Sequence, residues 1–357
     1  MKRLVAGSLV AAALMAAQGS YLNESYAAEA NPIIQTASLS SLSGTNVNPR
    51  WLDDHRLLVT NENDEVVDYI VDLQAKTHAV FIPGVANLTV SPNGTKAAYI
   101  NENSEVILVD MNTIVEKKLS EDKNFKTDLQ WADDETLIFI SGDKSDKIVK
   151  LNVSDGKLTD VVADKVEYKQ DLRVSKDGKR ILYSVTKDGV VKLDGKQEVA
   201  NVDTSNAVTQ LYFFDTTATE AKPVKLTNTP DNKVFADFLP DGRVVYVSAD
   251  TDENNPAILM AVQTNGKGME NLVTRINVDQ AVVTADGRLL ILAGTGDERG
   301  IYEVDPAQYR RSLLSKVDEN TSGFQVSQHG IIAVTIDTEN GVKIALFNQG
   351  RFEDITQ

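Results

Sequence analysis

One short pattern recurs along this chain and limits what it can fold into. "LTVSPNGTKAAYI" (from Leu88) returns as "LRVSKDGKRILYSV" (from Leu172) and as "FADFLPDGRVVYVSA" (from Phe235). Each copy reads as an alternating strand, a tight turn and a more continuously apolar strand. Asn-Gly and Asp-Gly accept positive φ, so they reverse the chain in two residues. Aligning on the turn finds seven copies, at Asp53-Asp54-His55, Pro92-Asn93-Gly94, Asp133-Asp134-Glu135, Lys176-Asp177-Gly178, Pro240-Asp241-Gly242, Ala285-Asp286-Gly287 and Gln328-His329-Gly330. They lie about 40, 40, 43, 64, 45 and 43 residues apart. A period of about 40–45 residues holding four short strands is that of a propeller blade.

The physical logic of the repeat predicts an all-β fold: a β-propeller of seven four-stranded blades, with six or eight as the alternative counts. A lone four-stranded sheet cannot bury both faces, but a closed ring of them can. The strand before each turn is then the innermost. The strand after it ("LIFIS", "ILYSV", "LLILA") is apolar on both faces because neighbouring blades cover both sides. A third strand and an edge strand complete each unit, as "EVILVDM" with "VEKKLS" and "GIYEVDP" with "RRSLLS". Lys, Arg and Glu on the edge strands discourage pairing with other chains. Ile33 to Leu42 has strand character and is expected to pair with the last blade, locking the ring; "RFEDIT" is expected to be that blade's own outer strand.

The N-terminus reads as an export signal over residues 1–30. Lys2 and Arg3 precede an apolar stretch from Leu4 to Ala17, too short to span a bilayer comfortably, and Ala28-Glu29-Ala30 is an A-x-A cleavage pattern. The mature chain is expected to start at Asn31 and to form one propeller domain over 31–357, with no transmembrane segment. An uncleaved anchor is the alternative. The chain contains no Cys, which excludes disulfides, thiolate metal sites, a Cys nucleophile and a lipobox. The short signal suits a bacterial source and an extracellular, cell-surface or periplasmic location. With 42% hydrophobic and 25% charged residues the remainder is globular. A net charge of −16 argues against nucleic acid and anionic lipid as partners.

At the repeated turns, "NPRWLDDHRLLV" (from Asn48) and "LTVSPNGTKAAYI" resemble the P-x-W-S-P-D-G-K-like signature of TolB-type propellers. The resemblance covers residues 45 to 357 and implies blade architecture, not an activity. It extends to the propeller half of that family only. About 20 residues separate the signal from the first repeat, too few for the α/β domain that precedes the propeller in TolB. The blades are also similar to those before the hydrolase domain of prolyl-oligopeptidase-like proteins. The chain ends within its last blade, so no such domain is expected.

No sequence pattern amounts to a catalytic site. His55, His78 and His329 lack partners at metalloprotease spacing and read as structural or solvent-facing. There is no G-x-S-x-G elbow and no P-loop or dinucleotide fingerprint. Asp250-Thr251-Asp252-Glu253-Asn254 opens like a calcium loop. Asn255 stands where Gly is required and Ala261 where a bidentate Glu is required, so it fails as an EF-hand and remains only an oxygen-rich hairpin loop. No cofactor is expected, with calcium open as an exception.

Acidic residues cluster by topology. In a propeller the loops between the second and third strands share one face with the links between blades. Those loops carry Glu62, Asp64 and Glu65 in the first blade, Glu102 and Glu105 in the second, and Asp143 and Asp146 in the third. They carry Asp250, Asp252 and Glu253 in the fifth, Asp297 and Glu298 in the sixth, and Asp337 and Glu339 in the seventh. Lys144, Lys147 and Arg299 are the only basic residues among them. Such a ring focuses negative potential at the channel mouth. Hairpin loops favour Asp for turn geometry, but Glu has no such preference. An insertion at 187–207 in the fourth blade, containing two Asp-Gly pairs, falls on the same face and reads as a hairpin.

Three functions follow. The first is a secreted, non-enzymatic binding or scaffold propeller that meets a basic protein segment, a cell-wall glycan or a metal-bridged ligand on this acidic face; a purely structural envelope protein is the third. The alternative is an enzyme centred on the channel, a lyase or hydrolase acting on a glycan with possible calcium assistance. Its candidate mouth residues on the inner strands are Arg50, Asp128, Asp171, Asp237 and Asp279. The sequence leaves the ligand and the oligomeric state open.

Overall fold

The computed structural model describes residues 36–63, 66–186, 190–193, 199–203, 208–250, 252, 255–295, 298–348 and 350–357. The expected export signal lies outside the described residues. Seven four-stranded antiparallel sheets follow one another, each hydrogen-bonded in chain order from inner to outer strand. The inner strands are Asn46–Trp51, Thr89–Val90, Lys126–Asp133, Lys169–Val174, Asn232–Phe238, Val278–Val283 and Thr321–Val326. Among the described residues no helix is long and apolar enough to cross a membrane.

The second strands explain why the blades form a circle. In the third blade, Thr136–Ser141 is buried along its whole length. Side chains alternate along a strand, so Leu137 and Phe139 join one apolar cluster with Ala98 and Val106 of the blade before. Ile138 and Ile140 join another with Ile181 and Tyr183 of the blade after. The same division recurs at every blade. It yields seven clusters for seven blades, the last of which joins Leu57 and Val59 of the first blade to Ala333 and Ile344 of the seventh. An open stack of seven sheets would have six such interfaces.

The closing interface corrects the expected lock. Ala37–Ser38 pairs with the outer strand of the first blade, Ala37 opposite His78 and Ser38 opposite Thr77, and not with the seventh blade. The seventh blade takes all four strands from the C-terminal segment, including Arg351–Asp354 as its outer strand. The reason lies in the residues that follow Ser38. Leu39 and Leu42 turn inward and wedge into the cluster between the seventh and first blades. Apolar insertion rather than strand exchange seals the ring. The Gln357 N–H donates to the Leu42 carbonyl at 2.9 Å, fastening the C-terminal end to the wedge. On the opposite face, Asp54 receives the Ser327 hydroxyl at 2.8 Å and lies 2.6 Å from His329 Nδ1. The Ser327 hydrogen bond and His329 hold Asp54 below the ordinary carboxylate range.

The links between blades are fastened by a device absent from the repeat signature. Lys126 and Lys169 begin the inner strands of blades three and four, Lys233 is second in that of blade five, and all three are buried. Lys126 Nζ donates to the carbonyls of Ser104, Asp122 and Asn124 and to the Asp122 carboxylate. Lys169 Nζ donates to the carbonyls of Asp146 and Val166 and to Asp164. Ser104 and Asp146 belong to the loop between second and third strands of the preceding blade, so each lysine bolts that loop to the next inter-blade link. Lys233 holds the carbonyls of Thr229 and Asp231. The insertion in blade four is a hairpin, Val190–Leu193 paired with Val199–Asp203, as its Asp-Gly pairs suggested.

If the wedge seals the ring, Leu42→Ala will lower stability by about 2–4 kcal/mol, the usual range for a buried leucine truncation. Urea unfolding of the two proteins side by side measures this.

Candidate functional site

The inner strands do not run straight into the channel. In blades one, three, four and five the register slips between Val47 and Arg50, Thr127 and Gln130, Gln170 and Arg173, and Val234 and Asp237. At each slip one residue takes left-handed backbone: Asn48 (φ 48°), Asp128 (53°), Asp171 (54°) and Phe235 (52°). These are β-bulges, which bend a strand and re-aim its side chains. Asn and Asp tolerate that conformation through local hydrogen bonding. Phe235 has no such excuse, and a bulky residue held there carries strain of order 1–3 kcal/mol.

The bulges bring three of the five expected channel residues together. Asp128 Oδ2 accepts the Leu172 N–H of the next blade at 3.4 Å, and Asp171 accepts the Ser184 hydroxyl at 2.6 Å. Burial pushes the Asp128 carboxyl up, and repulsion from Asp171 pushes it further; the Leu172 N–H and Arg173 oppose both. Burial also raises Asp237, against its bond from the Phe238 N–H at 2.7 Å and the nearby Arg173. Asp128 and Asp237 thus share one guanidinium, Arg173, and Asp171 lies beside Asp128. The other two expected residues are engaged elsewhere. Arg50 turns to the fully buried Asp68 at 2.6 Å and to Thr60, inside its own blade. Asp279 pairs with Arg299 and accepts from Asn277.

Around the starts of the same inner strands lie exposed aromatic and apolar groups that motif reading missed. Phe125, Tyr168, Val234 and Phe235 are exposed, each at 37–38%. Each adjoins one of the buried lysines or, for Phe235, lies two residues beyond it. Phe125 and Tyr168 come one residue before their inner strands, and Phe235 lies on the bulge of its own. A signal was present: "FKTDL" at 125–129 and "YKQDL" at 168–172 repeat aromatic, Lys and Asp at one spacing.

Of the expected loop acids, Glu62 and Asp337 lie within second strands, while Glu102, Glu105, Asp143, Asp146, Asp250, Asp252, Glu298 and Glu339 lie between second and third strands. Glu62, Glu102, Asp143, Asp250, Asp252, Glu298, Asp337 and Glu339 are exposed, while Glu105 and Asp146 are half-buried. Asp64, Glu65, Glu253 and Asp297 lie outside the described residues. Glu105 is held below its ordinary range by Asn101 and Lys118. The three basic residues counted against this ring bind other groups: Lys147 pairs with Asp160, Arg299 with Asp279, and Lys144 with Glu167. In the calcium-like loop, Asp250 accepts from the Asp252 N–H and from Asn255 Nδ2. Thr251, Glu253 and Asn254 lie outside the described residues. Among the described residues no three Asp, Glu, His or Cys side chains converge to hold a metal ion. His78 is buried in the outer strand of the first blade, where burial holds its imidazole below the ordinary range.

With the ring and its channel established, the chain can be placed among known structures. No protein-family model and no curated protein sequence matches it. Solved structures do. An oligogalacturonate lyase in complex with manganese superposes with a TM-score of 0.61 at 13% identity, over 88% of this chain and 92% of that one. The β-propeller domain of the Trilobed protease from Pyrococcus furiosus, which has an open velcro topology, gives 0.57 at 16% identity over 88% and 96%. A puromycin-hydrolyzing peptidase from Mycobacterium tuberculosis gives 0.64 at 12% identity, with this chain spanning 54% of its length. These likenesses establish a seven-bladed propeller of the architecture found in such lyases and peptidases.

Because Asp128 is held above the usual carboxylate range, the folded protein binds a proton there that the unfolded chain has already released. That costs stability as pH rises from the unfolded carboxylate range through the folded pKa. Asp128→Asn keeps an acceptor for Leu172 and removes the repulsion. It will raise the melting temperature at about pH 7 and leave it unchanged at about pH 3, below the range in which Asp128 titrates in either state. Calorimetry at the two pH values checks the difference.

Proposed function

We propose that the chain is an exported, TolB-type recognition propeller that holds a basic protein segment at the channel mouth and performs no chemistry on it. The observation that carries this reading is a shared placement: exposed Phe125 and Tyr168 immediately precede, and exposed Phe235 lies within, the inner strands that carry Asp128, Asp171 and Asp237. A lysine or arginine side chain fits both kinds of group. Its cation is attracted to aromatic faces, worth about 0.5–2 kcal/mol per contact, and to carboxylates within a poorly solvated channel. A positive ligand would also lift the mutual repulsion of Asp128 and Asp171. The surrounding loop acids extend the attraction to longer range and would steer the encounter. Export rests on the leader-like residues 1–30.

One observation favours a second reading. Asp128, raised beside an acidic neighbour, is the arrangement in which one carboxyl carries a proton while the other stays ionised, as general acid–base chemistry requires. Oligogalacturonate lyase shares the fold. On this reading the channel would cleave a glycan.

A Lys/Arg-rich peptide titrated by calorimetry separates the two. Recognition predicts affinity that falls steeply with salt, and that drops at least about tenfold when Phe125 and Tyr168 are both changed to Ala or Asp171 and Asp237 both to Asn. Affinity indifferent to salt and to both pairs would refute it. Release of new sugar ends from oligogalacturonate, lost in Asp128→Asn, would establish the glycan-cleaving reading in its place.

A further inference from the structure

The outer strand of the sixth blade differs from the others. Arg310–Lys316 has seven residues, all but one exposed, and it is the last strand of its sheet, paired only on its inner side with Gly300–Asp305. The other six outer strands have two to five residues. A long open edge presents a row of backbone N–H and C=O groups ready to pair with another strand. Its side chains add apolar surface. Leu313 is 47% exposed, Leu314 37% and the preceding Tyr309 54%.

The charge on this edge runs against the rest of the molecule. Acids outnumber bases by 52 to 36 in the chain, yet Arg310, Arg311 and Lys316 stand together here. Among the described residues none of the three makes an ion pair, although 18 pairs form elsewhere. Arg311 lies over the Tyr302 ring, 5.8 Å from its centre, and reaches the Thr274 carbonyl at 3.4 Å. Tyr309 donates to Glu270 at 2.6 Å. Between these two side chains and the outer strand of blade five, at 271–274, a groove of about 130 Å³ runs beside the open edge.

Like charges make this edge a poor partner for its own copy in a second molecule. An acidic strand would satisfy both its backbone and its cations. The fold already accepts such an addition: on the first blade, Ala37–Ser38 extends the sheet by a fifth strand against the outer strand Thr77–Val80.

We propose that the outer strand of blade six captures an extended acidic peptide segment of a partner protein as a fifth strand. The peptide's carboxylates pair with Arg310, Arg311 and Lys316, and its apolar side chains cover Leu313 and Leu314. This edge lies on the rim of the ring and is independent of the channel mouth.

The test uses two nine-residue peptides, one alternating pairs of Glu with pairs of Val, so that carboxylates reach both faces of the added strand, and one alternating pairs of Glu with pairs of Pro. They carry equal charge, but proline lacks the N–H a ladder needs. The Glu–Val peptide is expected to bind at least tenfold tighter, to slow amide hydrogen exchange at 310–316, and to lose at least tenfold in affinity on Arg310→Glu. Among the described residues the Arg310 side chain makes no hydrogen bond or ion pair that its loss would break, so the fold is expected to be preserved, and circular dichroism checks this. Equal binding of the two peptides, protection confined to the channel face, or no binding at millimolar peptide would each overturn the proposal.

Discussion

Burial of each blade's second strand between its two neighbours is the constraint on which the molecule rests. A strand such as Thr136–Ser141 has no polar face to turn to water, so it is stable only with a sheet on either side. Each apolar side chain so covered contributes about 1.5–3 kcal/mol, and several per interface make the blades mutually dependent. The demand propagates around the chain until it meets itself, and the cluster joining blade seven to blade one is the result. That closing interface has no shared strand, so its cohesion comes from side chains: the Leu39 and Leu42 wedge on one face and the Asp54, Ser327 and His329 contacts on the other.

The ring's two faces are organised differently. On the face of the repeated turns, neighbouring blades touch turn to turn. The Asn93 N–H donates to Asp134 at 2.9 Å, and Lys176 reaches the Ala285 carbonyl across an intervening blade at 3.1 Å. On the other face the buried lysines hold the links. Burying an ammonium group is costly unless its donors are satisfied, and here each is surrounded by carbonyls and at least one carboxylate. Burial still lowers the Lys233 pKa despite the opposing pull of Asp231. The expense fixes the chain at the first residues of the inner strands, which is where the exposed aromatic groups lie. These groups are therefore presented by a rigid support on one face only, and that face also carries the loop acids.

Much of this was legible in the sequence, because period and turn chemistry are local. Asn-Gly or Asp-Gly at about 43-residue spacing specifies a hairpin wherever it occurs, and the doubly apolar strand after it requires a ring. The placement of Asp128, Asp171 and Asp237 on inner strands followed from the same alignment. What escaped depends on register and long-range packing. The segment around Ala37 has the same strand character whichever edge it joins; only the inward turn of Leu39 and Leu42 decides the matter. Arg50 and Asp279 sit on inner strands as expected, yet their partners Asp68 and Arg299 come from other strands, and pairing across strands leaves no local signature. Lys126 and Lys169 carry no motif of their own, and only the repetition of "FKTDL" as "YKQDL" marks them as structural.

The fold alone does not choose between holding a ligand and transforming one, since propellers of this architecture occur in lyases and peptidases as well. The local chemistry weighs differently on the two. Acid–base cleavage needs two carboxyls with separated roles around a reacting bond. Here Asp171 is exposed and bound by a single serine hydroxyl, Asp237 lies beside Arg173, and Asp128 bonds a backbone N–H of the next strand. Asp128 and Asp237 are each tied to the scaffold through the backbone of an inner strand, which suits a fixed negative site. The strained Phe235 fits the recognition reading better: a bulky residue in left-handed backbone holds an exposed apolar surface on the inner strand that carries Asp237, and it contributes no proton. A mouth built to admit a cation accounts for the aromatic groups and the carboxyls together, whereas proton transfer accounts only for the carboxyls.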